Sequence, residues 1–406
     1  MNAAMPLIPS PGEVLDALAD QPSLAPRGLR ARGRALGLTL GGVAAAGSAT
    51  LAWGEVERRF PTVRHVRVPV PAAHGAGDLR ILQISDLHLY PGQEFLVDFL
   101  TRVARTERID LVLSTGDNFG SADGLPLVRA AYAPFRGLPG AFVLGSNDYY
   151  SPRHRNWGHY LRRDPRVDAP AVGSGAAASP AGRPLEDEFG TRAEPAAAVS
   201  PSPGHASDRG HEADVPDLPW RAMVEDFLAA GWVDLSNRSA VLEVPVAGSA
   251  SASRSGAARA GARTGSGAGR PTEASRIQRV SLVGVDDPHL GRDRVPLPDA
   301  SWADASSLRL AVTHAPYIRV LDAFTHLHPD VIVAGHTHGG QIGLPFFGAI
   351  VTNCDLPRRF AKGLHIWTAG RDAAPLHVSA GLGNSPFAPV RVATRPEVSV
   401  LHLMPV

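Results

Sequence analysis

The sequence predicts an α/β domain with its chemistry gathered at one sheet edge, on three observations. Short apolar runs of strand type recur, and each ends in polar residues, Asp, His or Asn, of the types that can act as metal ligands. Two stretches rich in Ala, Pro, Gly and Ser interrupt the chain, at about 165–217 and 247–275, without the apolar periodicity a packed element needs. With those and the chain before Leu79 set aside, roughly 240 residues remain, the size of one double-sheet domain.

The runs come in this order. Residues 80–85 are apolar and end in Asp86-Leu87-His88. Residues 110–115 end in Gly116-Asp117-Asn118, and residues 141–144 in Gly145-Ser146-Asn147-Asp148. A plausible helix at 220–230 and a strand at 240–246 sit between the two interruptions, as the fold continuing across them. Residues 308–313 end in His314-Ala315-Pro316, and residues 330–334 in Gly335-His336-Thr337-His338-Gly339. Side chains at i and i+2 of a strand share a face, so two imidazoles leaving a strand end between glycines can converge on one point. A single aspartate after a strand is usually a cap. Five such ends bearing Asp, His and Asn go beyond capping, and in α/β sheets ligands bind beyond the carboxyl ends of the strands.

The order Asp86-x-His88, Gly116-Asp117, Gly145-Ser146-Asn147-Asp148, His314, Gly335-His336-x-His338 resembles the calcineurin-like metallophosphoesterases. The later runs Gly339-Gly340-Gln341-Ile342, Val378-Ser379-Ala380-Gly381-Leu382-Gly383 and Arg395-Pro396-Glu397 look like the bacterial branch related to membrane-associated and lipid-precursor phosphoesterases. The resemblance implies a double β-sandwich flanked by helices, a four-layer αββα arrangement, with two divalent metal ions at the sheet edge. It assigns Asp86, His88 and His338 to one metal, and His314 and His336 to the other with an amide from the third motif. Asp117 would bridge both. Asp117, Asn147 and Asp148 are the expected catalytic groups, Asp148 either orienting a ligand or capping a helix. The chemistry is consistent: two metals about 3.5–4 Å apart clamp the phosphate oxygens, and a metal-bridging hydroxide attacks phosphorus. Mixed imidazole and carboxylate donors suit Mn, Fe or Zn better than Mg or Ca alone.

One motif departs from the family. The usual Gly-Asn-His-Asp is here Gly145-Ser146-Asn147-Asp148. Aligned without a gap, Ser146 takes the ligand position; with a small backbone shift, Asn147 brings its amide to the metal, and Asn147 is the better donor to a hard cation. Either way the histidine near the leaving group is missing. General acid catalysis is worth about 10²–10⁴ in rate, so a slower enzyme, or a leaving group such as a diphosphate that needs little protonation, is expected. His289, in Gly284-Val285-Asp286-Asp287-Pro288-His289, could substitute if it reaches the site; a solvent-exposed loop is the default reading.

Composition sets the context. The chain has 406 residues, 44% hydrophobic, with a formal net charge of +1, which gives no electrostatic case for nucleic acid. The single cysteine, Cys354, permits no intrachain disulfide and reads as a small buried residue. Residues 1–34 are polar, Pro-rich and disordered in expectation, ending in Arg27, Arg30, Arg32 and Arg34. Residues 35–54 form a mostly uncharged run, just long enough at about 19 residues to span a bilayer. The reading is an N-terminal anchor, or a cleaved signal, ahead of a phosphoesterase domain at 55–406, held at the cell membrane on its extracytoplasmic side. A secreted or cytoplasmic location is the alternative. Arg358, Arg359 and Arg391 read as a solvated loop face, and Tyr149-Tyr150 as helix packing. The expected substrate is a phosphodiester or diphosphate, lipid-linked ones included, met at a membrane surface, with no protein partner. The alternatives are a soluble nucleotide phosphodiesterase and a non-catalytic binding module on the same fold.

Overall fold

The computed structural model describes residues 45, 47–75, 78–152, 215–246, 276–344, 348–384, 386–387 and 389–406. The expected N-terminal segment 1–34, residues 35–44 of the apolar run, residues 165–214 of the first insertion and all of the second lie outside them.

Two six-stranded sheets carry the fold. The first holds β1 (Thr62–Val70), β2 (Leu79–Ile84), β3 (Leu111–Ser114), β4 (Gly140–Phe142), β5 (Val233–Asp234) and β14 (Glu397–Pro405), in the order β1-β14-β2-β3-β4-β5. The second holds β6 (Ser239–Val246), β7 (Arg276–Gly284), β8 (Leu308–Val312), β9 (Val331–Ala334), β12 (Gly363–Ala369) and β13 (Asp372–Val378), in the order β12-β13-β9-β8-β7-β6. A short antiparallel pair, β10 (Gly343–Leu344) and β11 (Gly348–Ala349), lies apart from them. The strands β2, β3, β4 and β5 run parallel, as do β7, β8, β9 and β13. The five expected strand ends therefore belong to the centres of two sheets. The chain before Leu79, set aside from the core on sequence grounds, supplies β1, which pairs along its length with β14.

Side-chain alternation explains the layers. Leu79 and Ile81 of β2, Leu111 and Leu113 of β3, Leu308 and Leu310 of β8, and Val331 and Val333 of β9 form one buried cluster between the sheets. The alternate residues face outward. Leu82, Ile84 and Val112 meet the helices Glu94–Thr106, Leu125–Tyr132 and Trp220–Ala229. Ala311, Ile332 and Ala334 meet the helix Ile318–Thr325. Buried on both faces, the central strands read as continuous apolar runs, as parallel strands do. Tyr149 and Tyr150 are buried in the helix-side cluster, and Cys354 is buried against the second sheet's outer face.

A polar staple joins the sheets just below the ligand-bearing edge. Gln83 of β2 donates to the Ala334 carbonyl at 2.9 Å, and its own oxygen lies 2.8 Å from Nδ1 of His377 on β13. His377 is fully buried, and its Nε2 has no partner. Burial holds this imidazole down at about 3, against an ordinary value of 6.5. The unfolded chain therefore takes the proton first. His377's contribution to stability is complete above 6.5 and is lost as pH falls towards 3. The loss is about 1.4 kcal/mol per pH unit in that window. His377→Gln, which titrates nowhere in this range, is expected to flatten the acid limb of a urea-denaturation series run from pH 7 to pH 4.

Candidate metal centre

The six candidate ligands at the strand ends come from both sheets and meet. The turns after β2 and β3 are zipped together by backbone: Asp86 N–H donates to the Gly116 carbonyl at 2.9 Å, and His88 N–H to the Asp117 carbonyl at 3.0 Å. From the second sheet, His314 follows β8, while His336 and His338 follow β9. Asp86, His88, Asp117, His336 and His338 all have positive φ, between 42° and 69°. Such a conformation is uncommon for residues with a side chain, and it clusters at functional sites because it must be imposed by surrounding structure. Two glycines make the approach possible. A Cβ on Gly145 would run into Asp117 Oδ1 and the His314 ring, and one on Gly335 into Ser85 Oγ and Asp86 Oδ2.

Among the described residues, two groups have the donor set and spacing of a cation site: Asp86, His88 and His338, and Asp117, His314 and His336. All six residues are buried. In the first group His88 Nε2 and His338 Nε2 are 3.1 Å apart with the rings stacked, and Asp86 Oδ1 is 3.6 Å from His338 Nε2. In the second, His336 Nδ1 is 3.3 Å from His314 Nε2, and Asp117 Oδ1 is 3.4 Å from His314 Nε2. The other oxygen of Asp117, Oδ2, lies 3.6 Å from His88 Nε2 in the first group. Asp117 therefore divides its carboxylate between the two.

The remote ring nitrogens orient the rings. His314 Nδ1 donates to the Thr115 carbonyl at 2.7 Å, and His336 Nε2 to the Asn353 carbonyl at 3.2 Å, which turns His314 Nε2 and His336 Nδ1 inward. Burial acts to lower His314, but the Asp117 charge and hydrogen bond outweigh it and hold that imidazole well above its usual range. Burial holds His88 and His338 below the usual imidazole range, the form a metal ligand needs. Burial also acts to raise Asp117. His314, by charge and hydrogen bond, then His88 and His336, outweigh it and hold that carboxyl well below the usual range. Two pairs of imidazole nitrogens 3.1–3.3 Å apart, each pair with a carboxylate beside it, make a donor set whose chemistry fits divalent metal.

The third motif lies beside these groups. Gly145 caps the short helix Ser146–Tyr149, and the Asn147 N–H donates to Asp117 Oδ1 at 2.7 Å. The Asn147 side-chain nitrogen is engaged by the Tyr150 carbonyl at 3.0 Å, so its amide can offer only oxygen to a cation. Ser146 stands at the first turn of the same helix. Asp148 is fully buried and accepts from the backbone N–H groups of Asp117, Asn118 and Gly145 at 2.8–2.9 Å, and from the Asn118 amide at 3.0 Å. It is both the helix cap and the clamp on the Asp117 turn. Burial, and then the Asp117 charge, push it up to about 6.

Two residues take places the sequence did not mark. Arg391, expected on a solvated loop, is fully buried and donates to the carbonyls of Ala380 and Gly383 at 2.6 Å. Its Nη2 lies 3.1 Å from His338 Nδ1. His289 is half-buried, with its ring centroid 4.8 Å from that of His336. Arg358 and Arg359 are exposed, as expected of them. No helix among the described residues is long and apolar enough to cross a membrane.

Residues 79–183 match the family model of the calcineurin-like phosphoesterases. That stretch contains Asp86, His88, Asp117 and the third motif, while His314, His336 and His338 lie beyond it and join them only in the fold. Two relatives from Bacillus subtilis (strain 168), each named an uncharacterized metallophosphoesterase, are similar to part of the chain. YkoQ is 34% identical over 121 residues, 30% of this chain and 42% of that protein. YkuE is 35% identical over 71 residues, 18% of this chain and 23% of that protein. The chain thus spans less than half the length of either relative.

Proposed function

We propose that this chain is a dinuclear metal-dependent phosphoric ester hydrolase acting on a phosphodiester or a diphosphate. The observation that carries the reading is the divided carboxylate of Asp117, with one oxygen toward each imidazole group. Asp86, His88 and His338 would hold one cation, and His314, His336 and the Asn147 amide oxygen the other, with Asp117 shared. Bound there, Mn, Fe or Zn would supply a clamp on the phosphate oxygens and a water made nucleophilic at neutral pH. The residues do the rest. The surrounding imidazoles favour the charged form of Asp117, burial disfavours the charged forms of His88 and His338, and Asp148 fixes the Asp117 turn.

The location proposed is the membrane surface. It rests on the uncharged run at 35–53 behind Arg27, Arg30, Arg32 and Arg34. The resemblance to lipid-precursor phosphoesterases makes an amphiphilic diphosphate the favoured substrate class. Full-length protein assayed with Mn, Zn or Fe on phosphomonoesters, phosphodiesters and lipid diphosphates is expected to hydrolyse a diester or diphosphate. Activity should vanish with chelator and return with metal. Two bound ions without hydrolysis of any of the three classes would instead favour the non-catalytic binding module, which the altered third motif otherwise supports.

A further inference from the structure

We infer that His289 is a substrate-contacting residue, hydrogen-bonding an oxygen of the phosphate group bound at the Asp117/His314/His336 cluster. The inference rests on the proposed hydrolase reading and adds a residue that neither cation group contains.

His289 belongs to a turn fixed from several sides. The turn Pro288–Leu290 is capped by Asp287, whose Oδ1 accepts the His289 N–H at 3.0 Å, and it closes on Gly291 in the left-handed conformation. Arg319 donates to the Pro288 carbonyl at 2.9 Å while pairing with Asp293 at 2.6 Å. Arg292 N–H returns to the Asp287 carbonyl at 3.1 Å, and its guanidinium sits 4.3 Å from the Tyr149 ring centre. The Tyr149 hydroxyl in turn donates to Asp286 at 3.0 Å. A solvent-facing loop histidine needs none of this.

The ring itself is contacted by Tyr317 and by His336. Nδ1 lies 3.1 Å from the hydroxyl of Tyr317, a buried residue, and the ring packs at 46° against His336. The Tyr317 hydroxyl donating to Nδ1 would place the ring's proton on Nε2, the tautomer in which Nε2 is a hydrogen-bond donor. The six ligand residues are buried, whereas His289 is only half-buried. It therefore combines contact with the cluster and access to what enters from solvent. The third motif offers no imidazole, since Ser146 and Asn147 stand where one is expected.

The test uses the full chain loaded with Mn, with inorganic phosphate as the probe. Phosphate binding is followed by titration calorimetry, and bound metal is counted, for wild type, His289→Phe and His289→Gln. Phenylalanine keeps the ring packing and removes the nitrogen; glutamine restores an N–H donor. The expected result is unchanged metal in all three, phosphate weakened about tenfold in His289→Phe, the worth of one hydrogen bond to a charged group, and substantial recovery in His289→Gln. Wild-type phosphate affinity in His289→Phe would overturn the inference. Loss of a cation in both variants would also overturn it, by making His289 a metal ligand. A wild type that takes up no metal and no phosphate would bring down the hydrolase reading itself.

Discussion

Asp117→Asn is expected to abolish turnover while leaving the fold intact. The amide is nearly the same size and can still accept the Asn147 N–H now held at 2.7 Å. What it loses is the negative charge shared between the two imidazole groups. Charge stabilisation by a properly held metal pair is worth several kcal/mol in the transition state, so kcat/KM should fall by about 10³-fold or more. A melt close to that of wild type, measured beside the kinetics, would separate this loss from unfolding. Activity within a few-fold of wild type would remove Asp117 from the centre of the account.

The second large effect concerns stability. Asp148→Ala strips the partner from three buried backbone N–H groups and from the Asn118 amide. An unsatisfied buried donor costs about 1–3 kcal/mol, and partial relaxation or water entry recovers some of it. The net loss in urea denaturation should be about 3–5 kcal/mol. A loss under 1 kcal/mol would mean that the Asp117 turn holds its shape without the clamp. Asp148→Asn keeps an acceptor on one side and should fall between. Because the Asp117 turn is what the clamp holds, both variants should also bind metal more weakly than wild type.

Much of this site was legible in the sequence because its parts are local. A strand ending in Asp-x-His or His-x-His declares itself within a few residues, and β2, β3, β4, β8 and β9 all lie within two residues of the expected runs. The central strands are easy to see because burial on both faces makes them continuously apolar. The edges were harder. β1 alternates buried and exposed positions and pairs with β14, more than 300 residues away, so its place depends on a partner that local pattern does not name.

Arg391 shows the limit more sharply. An arginine in a Pro- and Gly-rich loop ordinarily faces water. Here backbone carbonyls and His338 absorb its hydrogen-bonding groups, and only the closed fold supplies them. The same holds for Asp148. Its sequence position suits a helix cap, and its bonds to Asp117 and Asn118 come from a turn 30 residues earlier. His289 could be named as a candidate from its histidine type alone. Its contact with His336 depends on the pairing of β7 with β8 and of β8 with β9, which brings their loops to one rim.

If the Asp117 carboxylate organises two cations, the metal content of the protein depends on it. Full-length protein, equilibrated with Mn and freed of loosely bound ions, is analysed for metal per chain beside Asp117→Ala. Two ions are expected in the wild type and one or none in the variant. Two ions in both, or none in the wild type, would contradict it.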